Sequence, residues 1–184
     1  MRKILVIALV EVLLVSGLGT IVFATHISLK TQQLLGTEST VVYFSSPPTI
    51  FETDGFIQLE LSGATTKLLE VNKPVLPIYV KTYQIPFRST NIQVTCSPRD
   101  IGTMTLTKDV VPACIAPVST MSEQTAYVKD ASVYGSAAFY PGSWYSFDLG
   151  AGRNENDQQV TFVKVVCYPV QYSPVNKQIE YAAG

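Results

Sequence analysis

Three cysteines, one histidine and a scatter of basic residues carry whatever chemistry this 184-residue chain holds. A thiol nucleophile needs an imidazole close enough to take its proton. The single histidine, His26, follows directly on a long apolar leader, and its place in the sequence predicts a mobile terminus far from Cys96, Cys114 and Cys167. That excludes Cys/His catalysis, and Ser/His/Asp catalysis fails for want of the same base. No GxxxxGK[ST] phosphate loop occurs. The cysteines at 96, 114 and 167 form no paired-ligand spacing, so neither a metal nor a cofactor is expected. Carboxylates close in sequence, Glu52 with Asp54 and Asp100 with Asp109, lie in polar, turn-like segments and read as solvated surface. The sequence therefore describes a protein that is not an enzyme.

The elements around these residues narrow the class. Arg2 and Lys3 precede the apolar run 4–24, which is interrupted by Glu11 and closes on Val22-Phe23-Ala24. This is the pattern of a secretory signal peptide, 1–24, and the run is also long enough, at about 20 helical residues, to stay in a bilayer as a signal anchor. Either outcome places 25–184 outside the cytoplasm, secreted or on the extracellular face of the membrane, and membrane contact is expected only through residues 4–24 if they are kept. Removing Arg2, Lys3 and Glu11 turns 13 basic and 14 acidic residues into 11 and 13, a net charge of −2. Nothing in that balance holds a polyanion, so no nucleic acid partner is expected.

Residues 25–38 read as a linker and 39–182 as one domain. "GFIQLELSG" at 55–63 alternates Ile57, Leu59 and Leu61 with Gln58 and Glu60, the period of a half-buried strand. "KPVLPIYVKTYQIPF" at 73–87 carries Pro74, Pro77 and Pro86, which predict an edge or polyproline-like path. "TNIQVTCSP" alternates again, whereas "GTMTLTKDVVPACIAP" predicts one short strand followed by a loop. Aromatics crowd 127–147 and are expected to pack on or cap the core. "GAGRNENDQQ" is a turn by composition. Several short strands bounded by turns, with no sustained helical period after the leader, predict an all-β fold: an antiparallel, immunoglobulin-like β-sandwich after an N-terminal signal or transmembrane helix.

Parity adds one detail. Ile92, Val94 and Cys96 share one strand face, as do Val163, Val165 and Cys167. If both faces point inward, Cys96 and Cys167 meet across the core as a candidate disulfide; buried thiols acting as small hydrophobes fit the sequence equally well. An odd number of cysteines in an exported chain leaves at least one thiol outside any internal bridge.

Order and spacing also suggest a family. "NKPVLPIYVKTYQIPF", then "NIQVTCSP", then Tyr140-Pro141, and finally "YPVQYSP" at 168–174 resemble the N-terminal propeptide of gingipain-type cysteine peptidases, with Ser173 where Asn is usual. The likeness runs from about residue 41 to 181. It implies a propeptide-like inhibitory and chaperone domain of a secreted cysteine peptidase, present here without the catalytic domain, whose partner is a cysteine peptidase catalytic domain. It also implies that a basic residue on an exposed loop mimics substrate, and Arg99, Lys108 and Lys129 are the candidate peptidase-contacting residues. The competing class is a secreted or membrane-anchored adhesion or structural module built on the same sandwich, binding through strand edges or an aromatic patch.

Overall fold

The computed structural model describes residues 20–30, 35–114 and 127–182. Most of the leader, 1–24, lies outside them, as does 115–126. Among the described residues the fold is all-β and antiparallel, with a single four-residue helix, and no helix is long and apolar enough to cross a membrane.

Eleven strands form three sheets. The first has the order β3-β2-β1-β6, from Phe56–Ser62, Leu35–Thr53, Thr20–Lys30 and Ile92–Ser97. The second is β4-β5-β9-β8, from Thr66–Leu68, Leu76–Pro86, Gln159–Cys167 and Tyr145–Arg153. The third is β10-β11-β7, from Val170–Ser173, Gln178–Ala182 and Ile101–Thr105. The helix α1 is Ala131–Tyr134, capped by Asp130, whose side chain accepts from the Ser132 amide. β1 runs through residue 24, the expected end of the leader, and β1 and β2 take up most of 25–38, which the sequence presented as linker.

The alternation in β3 behaves as its period requires: Ile57, Leu59 and Leu61 are buried and Glu60 is exposed. Asp54 and Gly55 join β2 to β3 with φ of 51° and 82°, the two positive angles that a two-residue hairpin turn demands. β5 departs from the edge path predicted by its prolines, because it lies between β4 and β9. The prolines are accommodated at its margins: Pro77 faces the three-residue β4, and Pro86 is the last residue of the strand.

Two apolar clusters hold the sheets together. The larger gathers Phe44, Ile57, Leu76, Val110, Tyr172 and Ile179, all at most 1% exposed, with their neighbours. Tyr134 and Tyr140 pack against it, as expected of the aromatic-rich stretch, and Tyr181 of β11 joins them. The smaller lies between β6 and the sheet containing β9: Val94 and Cys96 from one side meet Tyr83, Val163, Val165 and Cys167 from the other. At Gly102 in β7, an added Cβ would fall 2.6 Å from the Tyr181 ring, so glycine leaves the space that this ring occupies.

The segment 109–113, expected to be a loop, is instead threaded between two elements. Its backbone accepts from Ile57 N, and Val111 N donates to Ile57 O. On the other flank Val75 N donates to Val111 O and Ala113 N to Lys73 O, all at 2.8–2.9 Å. This thread fixes Lys108 and Asp109 against the core.

Candidate functional site

The three basic candidates have different surroundings. Lys108 Nζ donates to Glu52 Oε2 at 2.6 Å, and Thr107 Oγ1 reaches Glu52 Oε1 at 3.4 Å. The hydrogen bond and charge of Lys108 hold the Glu52 carboxyl below the usual range. Both partners stay well exposed, so the pair contributes little to stability. Replacing Lys108 by alanine is accordingly expected to leave the urea unfolding midpoint close to that of the wild type.

Lys129 is locked in place. Its Nζ donates to Asp109 Oδ2 at 2.6 Å and lies 5.2 Å from the Phe56 ring centroid and 5.4 Å from that of Tyr134. Such an ammonium, shared by a carboxylate and two ring faces, is poorly placed to leave for another protein's pocket. Asp109 is no solvated turn carboxylate, contrary to its sequence setting. Its Oδ1 accepts the hydroxyl of fully buried Tyr172 at 3.0 Å. Burial pushes its carboxyl up, but the Lys129 and Tyr172 hydrogen bonds outweigh this, and the net effect is a lowered value. Burial, foremost, drives the Tyr172 and Tyr134 phenols far up, and Tyr134 donates to Val110 O at 2.7 Å.

Arg99 stands apart. It is exposed in the three-residue connection from β6 to β7 and makes no ion pair among the described residues. Pro98 before it fixes φ near −65°, and Asp100 after it has φ of 51°, a left-handed turn residue. The adjoining β7 is in register with the end of β11, Ile101 opposite Ala182. Thus Lys108 and Lys129 converge on the thread, while Arg99 projects alone from a turn.

Cys96 and Cys167 do meet: their sulfurs are 3.4 Å apart, and the residues are 6% and 1% exposed. Cys114 is exposed at the end of the thread. His26 is part of β1 rather than of a loose terminus, in register with exposed Thr95 rather than with Cys96. No group of three or more His, Cys, Asp or Glu residues suited to a metal occurs among the described residues.

The motif residues that suggested a family also come together. Tyr140 N donates to Tyr172 O at 2.8 Å and Tyr172 N to Tyr140 O at 2.9 Å, so the aromatic-proline pair is bridged to the "YPVQYSP" strand. The Tyr140-Pro141 bond is cis. All four residues of β10 are buried. Residues 49–183, which span all of these features, match the Propeptide_C25 family. The chain belongs to that family. As a Propeptide_C25 domain of gingipain type it is a non-catalytic part of peptidase precursors. Two solved structures from Porphyromonas gingivalis are similar to the chain, and the first of them shares its fold. One, described as giving structural insight into the zymogenic latency of gingipain K, has a TM-score of 0.51 at 19% identity, covering 77% of this chain and 80% of that one. The other, a complex of RgpB pro- and mature domains, has a TM-score of 0.49 at 14% identity, covering 88% and 74%. No curated protein matches the sequence.

Proposed function

We propose that this Propeptide_C25 domain keeps a secreted gingipain-type cysteine peptidase latent and assists its folding, docking on the catalytic domain and presenting Arg99 to the pocket that receives a basic substrate side chain. The observation that carries the reading is the uncompensated guanidinium of Arg99, set on a turn while Lys108 and Lys129 are engaged by Glu52 and Asp109. A pocket selective for arginine offers the planar, charge-assisted contacts that this side chain lacks among the described residues. Pro98 and the left-handed Asp100 hold the turn before contact, which lowers the ordering cost of binding. They also direct the backbone away from the extended path of a cleavable substrate.

In this reading the stacked sheets form an immunoglobulin-like sandwich that follows an export leader, and the domain acts outside the cytoplasm without catalysing anything. The experiment is a titration of residues 20–184 against gingipain-type peptidases that cut after arginine and after lysine, following a chromogenic substrate. Saturable inhibition at submicromolar concentration is expected. No inhibition of either enzyme at tens of micromolar would overturn the proposal in favour of a stand-alone binding module. That second reading draws on β8, an edge strand with Phe147 and Leu149 exposed and no proline within it.

A further inference from the structure

We infer that Cys96 and Cys167 form an oxidisable pair that staples β6 to β9, a side-chain cross-link between the sheet β3-β2-β1-β6 and the sheet β4-β5-β9-β8. The inference does not depend on the inhibitory reading. Their sulfurs are already in van der Waals contact at 3.4 Å, across 71 positions of sequence, and no strand connection joins the two residues locally. Bond formation requires that the sulfurs close from 3.4 Å to about 2.05 Å.

The surroundings favour a defined product. Cys167 is in register with Tyr79 on one side and Tyr145 on the other, inside a four-stranded sheet. The Tyr145 hydroxyl donates to Val94 O at 3.0 Å, tying β8 to β6 two residues from Cys96. Val94, Val163 and Val165 are buried in the same cluster as the pair, which contains no third cysteine. Cys114 is exposed and belongs to the thread beside residues 71–73 rather than to this cluster.

The chemistry balances with a disulfide-bearing oxidant, such as the disulfide of a thiol oxidase or glutathione disulfide, which an oxidising compartment supplies. β6 is the edge strand of its sheet and β9 an interior strand, so local opening exposes Cys96 first. The Cys96 thiolate, its proton released to solvent, attacks the oxidant's disulfide. One oxidant thiolate leaves and a mixed disulfide forms. The Cys167 thiolate then attacks the Cys96 sulfur, releases the second oxidant thiolate, and closes the protein disulfide. Two thiols lose two protons and two electrons, and one disulfide of the oxidant is reduced to two thiols.

The staple joins the chain three residues before Arg99 to the end of an interior strand of the opposing sheet, so oxidation also stiffens the base of the β6–β7 turn.

The test uses residues 20–184 equilibrated in a glutathione buffer at oxidising and at reducing poise. Each sample is quenched, denatured and alkylated, then mapped by mass spectrometry. The oxidised sample is expected to show one alkylated cysteine, Cys114, and a peptide pair joined through Cys96 and Cys167, while the reduced sample shows three alkylated cysteines. Reduction is expected to lower the unfolding midpoint by about 10 °C, and Cys114→Ser should leave that shift intact. Three alkylated cysteines at the oxidising poise, or a linkage through Cys114 in the monomer, would overturn the inference. So would an oxidised form whose midpoint does not exceed that of the reduced form.

Discussion

Replacing Arg99 by alanine is expected to raise the inhibition constant of the domain against an arginine-specific gingipain-type peptidase about 100-fold, equivalent to about 2.7 kcal/mol. The size follows from what is lost: a planar, charge-assisted contact in a desolvated pocket, whose removal leaves the pocket's own charge without a partner. Arg99→Lys keeps the charge and loses the fork, so an intermediate effect of about tenfold is expected. Lys108→Ala should change inhibition by less than about twofold, since its ammonium is already committed to Glu52. Unfolding midpoints equal to wild type establish that the Arg99 variants are folded. Unchanged inhibition by Arg99→Ala would remove substrate mimicry at this turn while leaving docking by another surface open to test.

The largest stability effect is expected at Asp109. Asp109→Ala strips the acceptor from the hydroxyl of Tyr172, a fully buried residue, and leaves Lys129 beside two rings without its counterion. A cost of about 3 kcal/mol is expected from a half-buried network losing its centre. Asp109→Asn retains an acceptor for Tyr172 and should cost about 1 kcal/mol. The sign with pH follows from the lowered carboxyl, whose burial is outweighed by Lys129 and Tyr172. The unfolded chain takes up this proton at the ordinary value near 4 and the folded one only at lower pH. The stabilisation is therefore complete above about pH 4 and is lost as pH falls through the folded value. Urea midpoints of wild type and Asp109→Asn should differ at pH 7 and approach each other near pH 3. A constant difference would show that the ionised carboxylate contributes nothing.

What could be read from the sequence was what depends on near neighbours. The two-residue period exposed the buried face of β3 and aligned Cys96 and Cys167 on inward faces, because strand geometry alone sets that parity. Pro77 and Pro86 misdirected the placement of β5, since a missing amide matters only where the neighbouring strand needs it. The sorting of the basic residues could not be read at all. Lys108 finds Glu52 56 positions away, Lys129 finds Asp109 20 positions away, and Asp109 finds Tyr172 63 positions away. Only the folded chain decides which cations are spent on partners and which remains available. The "YPVQYSP" stretch was legible as a family mark, but its physical reason, the burial of β10 and the bridge to Tyr140, came from the tertiary structure.

The pairing of β11 with both β10 and β7 sets the timing of assembly during synthesis from the N-terminus. β7 spans 101–105, yet its partner spans 178–182, and Ile179 and Ala182 complete the larger core with no exposed surface. Until those last residues have emerged, Leu106 lacks the backbone bond it donates to Lys177 O, and the larger core lacks Ile179 and Ala182, although the smaller cluster is already complete at Cys167. The larger core therefore closes late, with contacts of long sequence separation forming together. A nascent chain halted before residue 178 would leave β7 without its pairing strand and the larger core open.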